Sequence, residues 1–228
     1  PLYAASEGGD SAAVSALLEA GAMVDIERLT MDGRTPLFSA AYNGKTGVLK
    51  TLLAARAMVS PLTNSEHGYY TPMFAACQNG HVECVSALVD AGALVDNIPG
   101  RLGDDHSKSG SLPDAYEKDP GEWHLMALLA RACENGHATV VSLLLAAGGP
   151  TYDLTIDKRH GQHPLHIACA HGDTEVMRML IDASASVDQQ ATEGYRPLQV
   201  AAQYGRTSAV RALIAAGADV NATNDRGF

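Results

Sequence analysis

Three sets of residues have types and spacings that could carry chemistry. The first is Gly44-Lys45-Thr46, which precedes a helix-forming run and resembles the end of a phosphate-cradling loop. Such a loop needs a glycine five residues earlier, so that successive backbone N–H groups can curl around the phosphates. That place holds Ser39, and Ala40 and Ala41 behind it are helix formers rather than loop residues. The second set is His160, His163 and His166, three residues apart, with His171 beyond, a grouping of imidazoles of the kind zinc accepts. The third is the four cysteines, Cys77, Cys84, Cys133 and Cys169, none in CxxC spacing. They are too few for a disulfide framework and suit a reducing compartment. No pair of carboxylates has a reason to be buried, so no acid–base pair can be named. The chain contains no G-x-S-x-G, H-E-x-x-H or dinucleotide-binding fingerprint.

The elements that must position these residues repeat. Aligned on Gly44, the chain has glycines at 9, 80, 136, 172 and 205. Alanine stands four residues before each (Ala5, Ala40, Ala76, Ala132, Ala168, Ala201), and an apolar residue stands seven before. Proline stands eight before in every unit but one, where Leu128 replaces it. Apolar residues follow the glycine at offsets of five, eight and nine, as in Leu49, Leu52 and Leu53. Six units agreeing at so many offsets excludes chance. Proline suits the first turn of a helix, where its missing N–H is not needed. The glycine ends that helix and turns the chain. The aliphatics at five, eight and nine then form one stripe of a second helix. Twelve residues after the first glycine a second one stops that helix (Gly21, Gly92, Gly148, Gly217), with Arg56 and Ser184 departing. Polar segments such as "ADVNATNDRG" follow, with turn chemistry suited to a hairpin.

The stretches "GRTPLFSAAYNGKTGVLKTLLAARA", "YTPMFAACQNGHVECVSALVDAGALVD" and "GQHPLHIACAHGDTEVMRMLIDASASVD" resemble ankyrin repeats, units of about 33 residues made of a β-turn and two antiparallel helices with a T-P-L-H-x-A signature. The resemblance implies an all-α solenoid of stacked helix-turn-helix units joined by β-hairpin-like fingers, forming a single ankyrin-repeat domain over residues 1–228. The units fall at about 1–32, 33–67, 68–96, 123–158, 159–191 and 192–225. In the fourth, Ala127 and Leu128 replace Thr-Pro, and "ACENGH" restores the register. Residues 97–122 are an insertion rich in Gly, Pro, Asp, Lys and Ser, expected as a loop on one face. It is either a tolerated lengthening or a partner-contacting flap anchored by Trp123 and Tyr116. Neither terminus resembles the polar-faced cap that solenoids need, and the chain is expected to be part of a longer array.

Within this frame the candidate chemistry dissolves. Gly44 is an inter-helix turn, and Lys45 and Thr46 open a second helix. His163 and His166 fall on the Thr and His places of the signature, where the resemblance implies structural hydrogen bonding. Cys77, Cys133 and Cys169 share one repeat offset and read as small core residues. No catalytic residue, metal or cofactor is expected. The net charge of −10 argues against a nucleic-acid surface, which needs clustered Lys and Arg. No apolar run reaches the roughly 18 residues of a membrane span, and a small-molecule substrate is not expected.

What remains is binding of a partner protein, identity unknown, by a non-catalytic scaffold or adaptor, with a cytoplasmic, reducing location. The alternative is a targeting or regulatory arm of an enzyme or ubiquitin-ligase adaptor whose catalytic part lies outside this chain. The resemblance implies contacts from finger tips and the exposed side of each first helix, on the concave face. Residue by residue this selects Arg34, Tyr70, Met126, Gln162 and Tyr195 before the Thr-Pro place. Before the turn glycine it selects Tyr42 and Asn43, Gln78 and Asn79, Glu134 and Asn135, His171, and Gln203 and Tyr204. Tyr69 adds to a concentration of tyrosine, a residue enriched in interface hot spots. The resemblance also implies that Asn221 in "LIAAGADVNA" could be presented to an asparaginyl hydroxylase.

Overall fold

The structure is a computed structural model that describes residues 1–31, 33–59, 63–65, 68–93, 120–148 and 163–228. The chain divides into two compact bodies, Pro1–Arg101 and Leu102–Phe228. The N-terminal body contains three helix pairs: α1 (Leu2–Gly8) with α2 (Ser11–Glu19), α3 (Pro36–Tyr42) with α4 (Thr46–Ala54), and α5 (Pro72–Gln78) with α6 (Val82–Asp90). First helices stack in the order α1, α3, α5, and second helices in the order α2, α4, α6. The C-terminal body pairs α7 (Pro120–Glu134) with α8 (Ala138–Gly148), α9 (Pro164–His171) with α10 (Thr174–Asp182), and α11 (Pro197–Gln203) with α12 (Thr207–Ala215). There α7, α9 and α11 form one row and α8, α10 and α12 the other. Each body is therefore a short all-α solenoid stack, as the repeat implies.

Helix starts follow the prolines. Thr35 caps α3 by accepting the Phe38 N–H at 3.2 Å, and Thr71 caps α5 by accepting the Phe74 N–H at 3.1 Å. In α11 the Gln199 side chain performs the reciprocal task, accepting the Arg196 N–H at 2.9 Å. The exception is α7, which is 15 residues long and begins at Pro120, inside the stretch read from sequence as insertion loop. Ala127 and Leu128 stand where other units have their proline, so nothing blocks the helix until Pro120. The insertion's residues 97–119 lie outside the described residues, as does Tyr116, and the side chain of Trp123 does too.

Helix ends follow the glycines. All six turn glycines have positive φ, between 65° and 87°. In five units the residue after the glycine donates its N–H to the alanine four before it, from Lys45 to Ala40 at 2.8 Å through Arg206 to Ala201 at 2.8 Å. The repeated alanine thus both accepts a cap bond and keeps the helices close, since Ala40, Ala76, Ala132, Ala168 and Ala201 are all buried. Gly21, Gly92 and Gly217 stop second helices at φ 89–98°, and Arg56 (65°) and Ser184 (73°) hold the same left-handed turn without being glycine.

The core of each body is aliphatic: Leu37, Leu49, Leu52, Met73 and Leu88 in one, Leu128, Leu144, Leu165, Met177 and Leu180 in the other. Each contributes about 2 kcal/mol by burial. Of the expected second-helix stripe, the residue at offset nine is only half-buried in Leu53, Val89, Leu145 and Ile181, and Ile214 is exposed. Fingers connect the pairs. Three share one tip, in which the residue before the Thr-Pro place accepts an N–H from four residues earlier: Thr30 to Arg34 at 3.0 Å, Ala191 to Tyr195 at 2.7 Å, and Asn224 to Phe228 at 2.9 Å. Another forms a hairpin of β1 (Thr63–Ser65) and β2 (Gly68–Tyr70), with Thr63 opposite Tyr70.

Candidate protein-binding face

The suspected phosphate loop is a packing device. Gly44 sits at φ 65° between α3 and α4. A Cβ there would lie 2.6 Å from Nδ1 of His81, the residue after the next unit's turn glycine. The same relation recurs at Gly9, covered by the Lys45 stem, and at Gly172, covered by Arg206. His81 Nε2–H also donates to the Tyr42 carbonyl at 3.0 Å, and Arg206 Nε–H to the Ala170 carbonyl at 2.7 Å. Each of those carbonyls lies two residues before a turn glycine. Lys45 and Thr46 are thus absorbed in stacking, with the Thr46 hydroxyl 3.4 Å from the Cys84 sulfur.

The histidines are used in the same way. His166 is fully buried and its Nε2–H donates to the Tyr195 carbonyl of the next finger at 3.1 Å. Burial pushes its imidazole down to about 4, against the smaller opposing effect of that hydrogen bond. His163 packs beside it with ring centroids 5.6 Å apart, His171 is exposed, and His160 lies outside the described residues. Among the described residues no three His, Cys, Asp or Glu side chains converge as a metal site. The cysteines are free and buried, and burial raises the thiols of Cys77, Cys133 and Cys169 to about 12, which removes thiolate reactivity at neutral pH. A cavity of about 10 Å³ under His163, Leu165 and Leu180 has room for about one water.

The residues expected to meet a partner divide between the two bodies. In the N-terminal body Arg34, Tyr42 and Asn43 are exposed, while Gln78 and Asn79 are half-buried. The backbones of Tyr69 and Tyr70 form β2, and their side chains lie outside the described residues, as does Gln162. In the C-terminal body Glu134, Asn135, His171, Gln203 and Tyr204 are exposed and Tyr195 is half-buried. Some of these side chains already have work. The Asn43, Asn79 and Asn135 amides each donate at 2.9 Å to the carbonyl four residues back, closing the end of a first helix. Glu134 is paired with Arg131 at 2.6 Å. Tyr42 and Tyr204 remain 43% and 55% exposed, so each still has apolar area to bury. Asn221 is exposed, its backbone N–H held by Asp219 at 2.9 Å.

A cation and two aromatic rings also meet at the first helix of the second unit. The Arg34 guanidinium lies 5.6 Å from the Phe38 ring centroid and 5.9 Å from that of Tyr42, and the two rings stack at 6.1 Å. Phe38 and Tyr42 share one helix face at i and i+4, and Arg34 precedes the helix cap in the finger. Phe38 is itself 5% exposed.

Comparisons with known proteins agree with this geometry. The family model "Ankyrin repeats (3 copies)" matches residues 1–64 and 117–224, and "Ankyrin repeat" matches residues 69–100. Among solved structures, the ankyrin repeat domain of human ASB11 is similar at 25% identity and a TM-score of 0.75, covering 100% of this chain and 88% of its own. The ankyrin repeat domain of Bcl-3, described as a unique member of the IkappaB protein family, is similar at 25% identity and a TM-score of 0.73, covering 100% and 90%. No curated protein sequence matches the chain.

Proposed function

Because the chain belongs to the ankyrin-repeat family, whose domains are generally protein–protein interaction modules, we propose that it is a non-catalytic scaffold or adaptor that binds a partner protein through its concave face. The contacts come from finger tips and the exposed side of the first helices. The observation that carries this reading is the exposure of Tyr42 and Tyr204 at the ends of first helices whose other face is packed. Tyrosine spends little conformational entropy for the area it buries, which is why it recurs at interface anchors. A reducing, cytoplasmic location is part of the proposal and rests on four unpaired buried thiols. The face is protein-directed rather than nucleic-acid-directed, because first helices α3, α5 and α11 carry no Lys or Arg with which to meet phosphates. No described helix is long and apolar enough to cross a membrane.

The test is affinity capture from source-cell lysate with the wild-type chain and a Tyr42→Ala, Tyr70→Ala, Tyr204→Ala variant whose helicity is verified by circular dichroism. A protein recovered by the first and lost by the second supports the reading. Equal recovery by both places the contact elsewhere on the chain and removes this face from the account. A partner that is itself an enzyme would favour the alternative, in which the repeats are a targeting arm.

A further inference from the structure

The first-helix row of the N-terminal body is aromatic at one offset: Tyr3, Phe38 and Phe74 all stand six residues before a turn glycine. In the middle unit a cation stands above this aromatic. Arg34 is held there with little freedom. Its N–H donates to the Thr30 hydroxyl at 3.1 Å, its carbonyl accepts the Thr30 N–H at 3.0 Å, and the tip turns through Gly33 at φ 71°. Its guanidinium lies over the rings of Phe38 and Tyr42, and the residue remains exposed. Among the described residues it pairs with no carboxylate, whereas Arg28, Arg131, Arg178 and Arg226 each do.

A guanidinium lying over aromatic faces keeps N–H donors for a further partner. Those donors form a fixed fork matched to two oxygens of one carboxylate. The net charge of the chain is −10, and Asp32 stands two residues before Arg34 in sequence, so a carboxylate ligand is favoured by the fork itself rather than by the overall charge. On α1, α3 and α5 the only carboxylate is Glu7, and the remaining charges of this body stand on second helices and in connections. Tyr42, under the guanidinium, offers an exposed ring, and Met31 in the same finger is fully exposed.

We infer that Arg34, oriented by Phe38 and Tyr42, is a carboxylate-reading subsite for a partner segment in which an aspartate or glutamate is flanked by apolar residues. This rests on the reading of the chain as a protein-binding module and names the chemistry of what it binds. The aromatic platform fixes the direction of the fork, so the subsite requires planarity as well as charge: lysine in place of arginine keeps the charge and loses both the stack and the second hydrogen bond.

The experiment is selection of displayed random twelve-residue peptides on the full chain, in wild-type form and as Arg34→Met and Arg34→Lys, with circular dichroism verifying that the exposed substitutions leave the fold intact. The strongest wild-type peptide is then synthesised with its acidic residue as Asp and as Asn. The inference expects Asp or Glu at one fixed place among apolar neighbours in the wild-type pool, and no such enrichment with either variant. It expects about tenfold or greater loss of affinity for the Asn peptide and for the Asp peptide on Arg34→Lys. Peptides that bind without acidic enrichment, or with the same enrichment on Arg34→Met, overturn the carboxylate subsite and leave the scaffold reading standing. Failure of the wild-type chain to select any peptide counts against both.

Discussion

The two bodies hold their fingers to their first helices in different ways on the same backbone. In two of the three units of the C-terminal body the residue six before the turn glycine is polar and reaches forward, the third having Ala130 there. His166 bonds the Tyr195 carbonyl at 3.1 Å, and one unit on Gln199 bonds the Ala222 and Phe228 carbonyls at 3.1 and 2.7 Å. Phe228 lies 33 residues after Tyr195, so the two side chains perform one task in successive units. In the N-terminal body the same offset holds Tyr3, Phe38 and Phe74, and at Phe38 the finger is held instead by Arg34 lying over the ring. Hydrogen bonding consumes the polar edge that joins finger to helix. At Phe38 the cation contact leaves Arg34 exposed, with N–H donors that no described carboxylate takes up. A repeat can therefore trade internal satisfaction for recognition at one position without altering its helices.

The largest way to break this comparison is to remove the buried bond. His166→Ala leaves a cavity and an unpaired Tyr195 carbonyl, and should destabilise the C-terminal body by about 3 kcal/mol, read by denaturant unfolding. Next is pH. The unfolded imidazole titrates near its ordinary 6.5 and the folded one near 4, so below about 6.5 the unfolded chain takes up the proton first. This contribution to stability is complete above that pH and declines toward pH 4, by about 1.4 kcal/mol per pH unit. His166→Gln, the solution the chain itself uses at Gln199, should flatten this dependence between pH 6.5 and 4.5 in thermal unfolding.

Smaller effects sharpen the account of the turns. Gly44→Ala must drive a Cβ to 2.6 Å from the His81 ring at φ 65°, whereas Gly136→Ala, at φ 71°, meets nothing within 4 Å. Gly136→Ala should cost only the left-handed strain of about 1 kcal/mol, and Gly44→Ala measurably more. In the other direction, Arg56→Gly and Ser184→Gly relieve that same strain and should each raise stability by up to about 1 kcal/mol, seen as a higher Tm. The smallest effect belongs to the exposed Arg226–Glu193 pair at 2.7 Å, where Glu193→Gln should change stability by less than about 0.5 kcal/mol.

Much of this architecture is legible in local chemistry. Pro36, Pro72, Pro164 and Pro197 mark helix starts, and six glycines mark the turns, because missing N–H groups and positive φ are properties of single residues. The start of α7 was not legible, since a helix without its proline extends to wherever the next obstacle lies. Nor was the half-exposure of Leu53 and Ile181, which depends on how far a neighbouring helix reaches across them. At the candidate face, exposure of Tyr42 and Tyr204 followed from their offset. The duties of Asn43, Asn79 and Asn135 did not, because an amide beside a turn serves equally well as cap or as contact. Contacts between units, such as His81 over Gly44, recur at the repeat spacing, but which side chain fills the place after the turn glycine (Lys45, His81, Arg206) varies, so the contact each one makes was not legible.

The central claim is that a partner protein meets the fingers and first helices. Hydrogen–deuterium exchange of the chain, free and with its captured partner, tests it most directly. The account predicts slowed exchange in residues 30–43 and 195–204, with α4, α6, α10 and α12 unchanged. Protection confined to those second helices would contradict it.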